Sequence, residues 1–272
     1  MNQPRTIAIT GATDGLGRAL AERLAAEGAT LILHGRDAEK LRRTADSLRH
    51  HPARIQTVVA DLADLTQVRR LAADITELTD RLDVLVNNAG IGSGYPDSRT
   101  RQTSVDGYEL RFAVNYLAGF ALTLDLLPLL RNSAPARIVN VASLGQQALD
   151  FDNLMLDRGY TGTRAYSQSK LAQIMSGFEL AERVPEVTVN SLHPATYMPT
   201  KIVLEEVGHH IDSLDEGVAA THRLVTDPAL ATTTGRFFDR VREAKADRQA
   251  YDPRARSELW ERSVQLIHHT DR

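Results

Sequence analysis

Thr6-Ile7-Ala8-Ile9-Thr10-Gly11-Ala12-Thr13-Asp14-Gly15-Leu16-Gly17 is the stretch of sequence that decides the fold. Its first five residues predict a short buried strand, and the run from Arg18 to Leu24 predicts a helix after the glycines. A strand, a glycine turn and a helix N-terminus together present free backbone N–H groups and the positive end of the helix dipole to a pyrophosphate. The spacing is G-x-x-x-G-x-G and not the commoner G-x-G-x-x-G. We nevertheless predict a nucleotide-binding turn, the alternative being a plain turn.

The composition limits the class of protein. The chain has 272 residues, 42% of them hydrophobic, which suits one large domain. Its formal net charge of −3 gives no electrostatic footprint for nucleic acid. The absence of cysteine excludes disulfides and zinc sites built on thiolates. Adjacent histidines at 50–51, 209–210 and 268–269 do not share a helical face, so we predict no metal site.

Neither the start of the chain nor its apolar runs predict insertion into a membrane. Residues 1–5 lead into the first strand without an apolar signal region. No uncharged apolar run approaches the roughly 18 residues that are needed to span a bilayer. We therefore expect a cytoplasmic protein without a transmembrane segment.

Strand-like and helical patterns alternate along the rest of the chain, which predicts an α/β protein with a parallel sheet. Further strands are predicted at 30–33, 55–60, 84–86, 137–142, 187–192 and about 235–238. Helices are predicted at 65–78, about 106–130, about 215–225, in the last 30 residues, and over a long stretch that contains Tyr166. In such a sheet ligands bind beyond the carboxyl ends of the strands.

Arg36 and Asp37 follow the predicted second strand, where dinucleotide folds contact the adenosine ribose. An acidic side chain there holds the 2′-hydroxyl of NAD, whereas an arginine accommodates the 2′-phosphate of NADP. Arg36 directly follows Gly35, and Asp37 suits the N-cap of the next helix. We therefore predict that Arg36 clamps a 2′-phosphate and that NADP(H) is favoured over NAD(H). The alternative is an exposed loop arginine.

Tyr166 and Lys170 lie four residues apart near the start of a long predicted helix, so they stand one turn apart on the same face. Leu171 and Phe178 belong to the apolar stripe of this helix, which places the pair at the rim of the core. Taken alone, the two residues fit an aromatic edge contact and a solvated lysine. Ser143, at the end of the fifth strand, lacks the G-x-S-x-G context of a hydrolase nucleophile.

The order of these motifs resembles that of the short-chain dehydrogenase/reductase family across essentially the whole chain. The shared motifs are Thr10-Gly11-x-x-x-Gly15-x-Gly17, Asp61-Leu62, Asn87-Asn88-Ala89-Gly90, Asn115, Ser143 and Tyr166-x-x-x-Lys170. The long connection from Ser143 to Tyr166 and the extended C-terminus are similar to the retinol-dehydrogenase-like branch. The resemblance implies a Rossmann-like, doubly wound sheet of about seven strands, in the order 3-2-1-4-5-6-7, with helices on both faces. It also implies a single domain over 1–272, with a cofactor-binding half (about 1–140) and a catalytic and substrate half (about 141–272).

The resemblance implies a role for each catalytic residue. Tyr166 is the proton donor in carbonyl reduction or the base in alcohol oxidation, and Lys170 binds the nicotinamide ribose and lowers the pKa of Tyr166. Ser143 binds the substrate oxygen, and Asn115 supports a water-mediated proton path to Lys170. The implied activity is that of an NADP(H)-dependent oxidoreductase acting on a small-molecule ketone, aldehyde or alcohol.

The resemblance also implies the cofactor contacts. The residues expected to hold the pyrophosphate are Thr10, Gly11, Thr13, Asp14, Gly15, Leu16 and Gly17. Those expected around the adenine and the cofactor wall are Asp61, Leu62, Asn88, Ala89 and Gly90. After Pro194, either Thr196 or Thr200 is expected to contact the nicotinamide amide. Ala195 replaces a glycine that is frequent in the family, and Asp14 stands where many NADP-preferring members carry a basic residue.

Residues 197–207 include several apolar side chains, which predicts an apolar substrate beneath a mobile cover. Two alternative functions are a non-catalytic NADP-binding regulatory protein and a nucleotide-sugar epimerase or dehydratase, which also uses a Tyr-x-x-x-Lys pair. Family members assemble through amphipathic helix faces, so a homo-oligomer is one option that the resemblance implies.

Overall fold

Eight strands form one sheet in the computed structural model, which describes residues 4–94, 98–200, 203–204 and 208–268. The strands are β1 (Thr6–Ile9), β2 (Thr30–Gly35), β3 (Arg54–Val59), β4 (Val84–Asn87), β5 (Ala136–Val141), β6 (Val187–His193), β7 (Arg236–Asp239) and β8 (Arg242–Ala244). Their order in the sheet is β3-β2-β1-β4-β5-β6-β7-β8, and the first seven run parallel. The predicted order of seven strands is confirmed, and β8 extends it.

β8 is a strand that the sequence analysis missed. Its three residues are exposed or half-buried and have no apolar alternation, so they carry no strand signal. β8 pairs antiparallel with β7. The turn between the two strands contains Arg240, whose φ of +54° lies in the left-handed region.

Helices cover both faces of the sheet, as predicted. They are α1 (Gly15–Ala26), α2 (Ala38–Ser47), α3 (Leu65–Leu78), α4 (Ala118–Asn132), α5 (Gly162–Arg183), α6 (Leu214–Thr226) and α7 (Pro253–His268). One apolar core joins the sheet to α3, α4, α5 and α7, and a second joins the other face to α1, α2 and α6. Alternate strand residues supply the two cores: Ala8 and Ile32 face the first, and Ile7 and Leu33 face the second.

The helix predicted at about 106–130 begins later in the structure than the sequence predicts. A π-helical segment, Phe112–Leu117, precedes α4, and the N–H of Ala118 donates to the carbonyl of Ala113. The carboxylate of Asp106 accepts a hydrogen bond from the N–H of Leu65 at the start of α3 (3.1 Å), so Asp106 serves that helix instead of beginning its own. A π turn breaks the regular periodicity of a helix and is frequent at functional sites.

The helical stretch Phe112–Asn132 is long and apolar enough, by length and composition alone, to cross a membrane. The sequence expectation counted uncharged residues only, and Asp125 and Arg131 interrupt this run. Most of the stretch is buried within the protein, where its apolar side chains belong to the same core as α3 and α5.

The C-terminal helix braces the two helical segments that carry the predicted catalytic residues. The guanidinium of Arg256 on α7 lies 3.3 Å from the carboxylate of Glu179 on α5, and both side chains are buried. The hydroxyl groups of Tyr116, in the π-helical segment, and Ser263, on α7, are 2.7 Å apart. α7 therefore fixes both segments from the outside.

Candidate active site

The carboxyl ends of six parallel strands meet at one edge of the sheet, and each is followed by residues predicted for the site. These are Thr10 to Gly17 after β1, Arg36 after β2, Asp61 and Leu62 after β3, Asn88 to Gly90 after β4, Ser143 after β5, and Pro194 after β6. α5 carries Tyr166 and Lys170 to the same edge, where Lys170 contacts the last residue of β5. The π-helical segment brings Asn115 against Ile91, after β4.

The glycines of the first turn are required by close backbone contacts. Gly11 has φ = +67°, and a Cβ atom there would lie 2.9 Å from the Cα of Ala89. A Cβ atom at Gly17 would overlap the carbonyl oxygen of Gly11. The first N–H groups of α1 have no partner within the helix. One of them, the N–H of Gly15, donates to the Asp14 carboxylate at 2.7 Å. The turn therefore presents a helix N-terminus of the kind that binds phosphate groups.

Thr10 and Asn88 join this turn to the end of β4. The hydroxyl oxygen of Thr10 accepts hydrogen bonds from the N–H groups of Asn88 and Ala89, both at 3.0 Å. The side-chain amide of Asn88 donates to the carbonyl oxygens of Thr10 (2.8 Å) and Gly11 (3.1 Å). Asn88 thus fixes the backbone of the glycine turn through two hydrogen bonds.

His34 is a residue of this region that the sequence analysis missed. Its Nδ1 accepts a hydrogen bond from the N–H of Gly11 at 3.3 Å, and its Nε2 lies 3.0 Å from the carbonyl oxygen of Ala60. The ring is buried, and burial lowers the pKa of His34. A neutral ring with its proton on Nε2 satisfies both contacts. The N–H of Gly11 is therefore used inside the protein, and no sequence motif marks a histidine in this position.

Arg36 lies at the surface, where the sequence places a phosphate clamp. Within the described ranges, no residue forms a hydrogen bond or an ion pair with its guanidinium. Asp37 instead caps α2, accepting from the N–H of Lys40 at 3.0 Å, and this hydrogen bond lowers the pKa of Asp37. A Cβ atom at Gly35 would come within 2.5 Å of the Thr13 methyl group, so the chain leaves β2 directly beside the glycine turn.

Asp61 and Leu62 have structural partners. The carboxylate of Asp61 accepts from the N–H of Ala63 at 2.9 Å, and its own N–H donates to the side chain of Gln67 at 2.9 Å. The side chain of Leu62 is buried in the core. The two residues are fixed at the carboxyl end of β3, on the same edge as Arg36.

Lys170 is more deeply placed than its sequence position at the rim of the apolar stripe suggests. Its side chain is 5% exposed, and its ammonium group donates to the carbonyl oxygen of Val141, the last residue of β5, at 2.9 Å. Burial lowers the pKa of Lys170 from 10.5 to about 8. The ammonium nitrogen lies 5.8 Å from the centroid of the Tyr166 ring. The interpretation as a solvated lysine is therefore excluded.

Ser143 and Tyr166 lie on either side of Gly145. A Cβ atom at Gly145 would lie 3.4 Å from the Ser143 hydroxyl oxygen and 3.7 Å from the Cε1 atom of Tyr166. The Ser143 oxygen accepts from the N–H of Gly145 at 3.0 Å, which leaves the hydroxyl proton to donate elsewhere. The side chains of Ser143 and Tyr166 therefore lie beside the same glycine.

Asn115 is held in a single orientation by three hydrogen bonds. Its side-chain oxygen accepts from the N–H of Ile91 at 2.7 Å, and its amide donates to the Ile91 carbonyl (3.1 Å) and to the Ser169 hydroxyl (3.0 Å). The Ser169 hydroxyl in turn donates to the carbonyl of Tyr166 at 2.7 Å. Ser169 therefore connects Asn115 to the helical turn that carries Tyr166, a role that the sequence did not reveal.

Gly90 lies between Asn115 and Lys170. A Cβ atom there would be 3.3 Å from the Asn115 side-chain oxygen and 3.4 Å from the Lys170 nitrogen. Any larger side chain would crowd both groups.

The two threonines after Pro194 have different surroundings. The Thr196 hydroxyl lies 3.2 Å from the Nε2 of His193 and accepts from Arg240 at 3.3 Å. The Thr200 methyl group lies close to Gly15, 3.0 Å from where a Cβ atom would stand. Thr200 therefore reaches the glycine turn, whereas the hydroxyl of Thr196 is engaged with His193 and Arg240.

The apolar segment after Pro194 is only partly described. Tyr197 and Leu204 are exposed, but Met198 is buried in the core that contains Leu16. Met198 is therefore not part of an exposed cover, which corrects one element of the prediction. Ile202 and Val207, which were also predicted for this cover, lie outside the described residues. Across residues 4–94, 98–200, 203–204 and 208–268, no group of three His, Cys, Asp or Glu side chains is arranged to hold a metal ion.

Comparison with known proteins identifies a family and several relatives. A model of the short chain dehydrogenase family matches residues 5–207. Human (Homo sapiens) retinol dehydrogenase 13 is 33% identical over an alignment that covers 97% of this chain and 84% of that protein. A Streptomyces sp. (strain C5) protein named "Putative daunorubicin C-13 ketoreductase DnrU" is 35% identical, over 98% of this chain and 94% of that protein.

Among solved structures, the RhlG/NADP active-site complex of Pseudomonas aeruginosa aligns with a TM-score of 0.72. It is 29% identical in sequence, and the alignment covers 86% of this chain and 94% of that chain. The family match, the full-length relatives and the shared architecture agree with the motifs at the edge of the sheet. The chain belongs to the short chain dehydrogenase family of oxidoreductases, in its retinol-dehydrogenase-like branch.

Proposed function

We propose that the protein is an NADP(H)-dependent oxidoreductase that interconverts an apolar ketone or aldehyde and the corresponding alcohol. The observation that carries the proposal is the ammonium group of Lys170, buried 5.8 Å from the Tyr166 ring centroid. Burying a cation costs free energy, and a protein that only bound a cofactor would have no use for a phenol beside it. This favours an enzyme over a non-catalytic NADP-binding regulator.

Tyr166 acts as the proton donor in reduction and as the base in oxidation. A free tyrosine has a pKa of about 10, and the positive charge of Lys170 favours the phenolate form. The Ser143 hydroxyl donates a hydrogen bond to the substrate oxygen and so holds it next to the phenol. Tyr166 transfers its proton to that same oxygen in reduction and takes it back in oxidation.

The proposed cofactor site suits both the pyrophosphate and the 2′-phosphate of NADP(H). The helix N-terminus at Gly15 to Gly17 suits a pyrophosphate, and the guanidinium of Arg36 is available to a 2′-phosphate. When bound, NADP(H) supplies or accepts the hydride. The Thr200 methyl group lies beside the glycine turn, whereas the Thr196 hydroxyl is already engaged, so we favour Thr200 for the nicotinamide contact. The NADP complex of the related RhlG structure supports this cofactor.

The substrate class is supported by the relatives and by the exposed side chains. Relatives are named for retinol and for a C-13 ketoreduction, which involve an alcohol and a ketone. Leu144, next to Ser143, and Tyr197 and Leu204, after Pro194, are exposed apolar side chains that follow neighbouring strands. An apolar substrate would cover such side chains. No observation favours a nucleotide-sugar epimerase or dehydratase.

Tyr166→Phe tests the proton-transfer role. Because only the phenolic oxygen is removed, we expect kcat for a carbonyl substrate to fall about 10²- to 10⁴-fold, with NADPH affinity retained. Turnover of a carbonyl panel, followed by NADPH absorbance, measures the first quantity, and NADPH fluorescence titration measures the second. Tyr251→Phe, at an exposed tyrosine before α7, is the matched control. Equal turnover in Tyr166→Phe and the wild type would refute the mechanism.

Arg36→Ala tests the cofactor preference. Loss of hydrogen bonds to a charged phosphate group costs about 1.5–3 kcal/mol, so the Kd for NADPH should rise roughly 10- to 100-fold. The Kd for NADH should stay the same, since NADH has no 2′-phosphate. Arg49→Ala, at another exposed arginine just beyond α2, is expected to change neither value. An NADPH preference that survives Arg36→Ala would mean that this arginine is only a surface charge.

Lys170→Met tests whether the buried cation is kept for function at the expense of stability. Below pH 8 the folded protein holds a buried charge that water would solvate in the unfolded chain. This penalty shrinks between pH 8 and pH 10.5, the folded and ordinary pKa values of Lys170. The variant should therefore be inactive, and its stability relative to the wild type should fall as the pH rises from 8 to 10.5, by at most about 3 kcal/mol, because the wild type loses its penalty while the variant has none. The lost hydrogen bond to Val141 adds a cost that is present at neutral pH. Urea unfolding at several pH values measures this, and a stability difference that is the same at pH 7 and pH 10.5 would contradict it.

A further inference from the structure

Asp212 lies at the centre of a polar cluster that the proposed chemistry does not use. One oxygen of its carboxylate accepts hydrogen bonds from the N–H of Thr196 (2.6 Å) and from the Nε of Arg240 (3.1 Å) and its Nη2. The same Nη2 of Arg240 also donates to the Thr196 hydroxyl at 3.3 Å. We call Thr196, Asp212 and Arg240 the Asp212 cluster. The N–H of Thr196 and the guanidinium of Arg240 lower the pKa of Asp212, so its carboxylate is ionised at neutral pH.

The Asp212 cluster joins three parts of the chain that are far apart in sequence. The N–H of Asp212 donates to the Thr196 carbonyl, and the N–H of Ile211 donates to the Tyr197 carbonyl, both at 3.0 Å. The residues that leave β6 and those that approach α6 are therefore paired. The N–H of Arg240, in the turn between β7 and β8, donates to the His193 carbonyl at 2.8 Å. That turn places the guanidinium against the base of the segment that begins at Thr196.

Two residues at this base have unfavourable backbone conformations. Tyr197 has φ = +44° and Arg240 has φ = +54°, although neither is a glycine. Such conformations persist only where surrounding contacts hold them, and they cluster at ligand sites. The paired backbone and the Asp212–Arg240 ion pair are the contacts that hold them here.

The same segment continues across the predicted cofactor site. Met198 is buried against Gly217 of α6 and belongs to the core that contains Leu16. The Thr200 methyl group lies beside Gly15, at the N-terminus of α1. Residues 196–200 therefore run from the Asp212 cluster to the turn that would bind the pyrophosphate.

We propose that Arg240, acting through Asp212, is a positioning residue that holds residues 196–200 over the bound cofactor and so slows its release. This inference rests on the proposed function, because the occupant of the glycine turn is taken to be NADP(H). Arg240 does not touch the cofactor in this account. It acts by fixing the base of the segment that does.

The rate of NADPH release tests the proposal. Arg240→Met removes the ion pair with Asp212 and a longer one with Asp239 (3.7 Å). NADPH fluorescence in a stopped-flow instrument should then show dissociation about tenfold faster, with the association rate little changed. Arg240→Lys keeps the charge and should restore much of the slow release. Arg236→Met is the matched control, since Arg236 lies on the same hairpin and pairs only with exposed Glu243 among described residues. It should release NADPH at the wild-type rate.

Hydrogen exchange supplies a second measurement that needs no cofactor. In the cofactor-free protein, the backbone amides of Thr196, Tyr197, Met198 and Thr200 should exchange faster in Arg240→Met than in the wild type, while α1 and β5 should exchange as before. Unchanged release in a folded Arg240→Met variant would overturn the inference and leave the proposed function standing. Wild-type protein that fails to bind NADPH would overturn both. If Arg240→Met does not fold, unchanged release in Asp212→Asn would overturn the inference.

Discussion

The hydrogen bond from the Lys170 ammonium group to the carbonyl of Val141 is the constraint on which the site depends. It ties a turn of α5 to the last residue of β5, two residues before Ser143. Tyr166, one turn earlier on the same helix face, is thereby held near the strand end that carries Ser143. The burial that lowers the pKa of Lys170 also keeps its charge close to the phenol with little screening by water.

Other elements of the fold hold this arrangement against the cost of burying a cation. α7 packs behind α5 through Arg256 and Glu179, and Asn115 reaches α5 through Ser169. Asn115 lies in the π-helical segment, and a Cβ atom at Gly90 would stand 3.4 Å from the ammonium nitrogen. The edge of the sheet thus has two fixed polar regions, one around Lys170 and one around the glycine turn, where Thr10, His34 and Asn88 bind the backbone.

Local patterns were sufficient to predict seven of the eight strands and most helices, whereas the site residues followed mainly from the order of the family's motifs. The strand, turn and helix at Thr6 to Gly17 could be predicted because apolar residues, glycines and helix-forming residues follow one another directly in the sequence. Contacts between distant residues could not be predicted in this way. The apolar stripe of the helix predicted that Lys170 lies at the rim of the core. Such a pattern describes one helix only and contains no information on the carbonyl of Val141, to which Lys170 donates. His34 and the Asp212 cluster each have a hydrogen-bond partner more than 20 residues away, and no periodicity marks them. β8 pairs with the neighbouring strand β7, but its three residues lack the apolar alternation that marks a strand.

The most direct test of this account is the ionisation of Tyr166 in the complex with oxidised cofactor, followed by the ultraviolet difference spectrum of the phenolate. Tyr166→Phe provides the blank that isolates the signal of this one tyrosine. We predict that Tyr166 ionises at a lower pH than free tyrosine, and that Lys170→Met raises the pH of its half-ionisation by about one unit or more. The same half-ionisation pH with and without the Lys170 ammonium group would contradict the account.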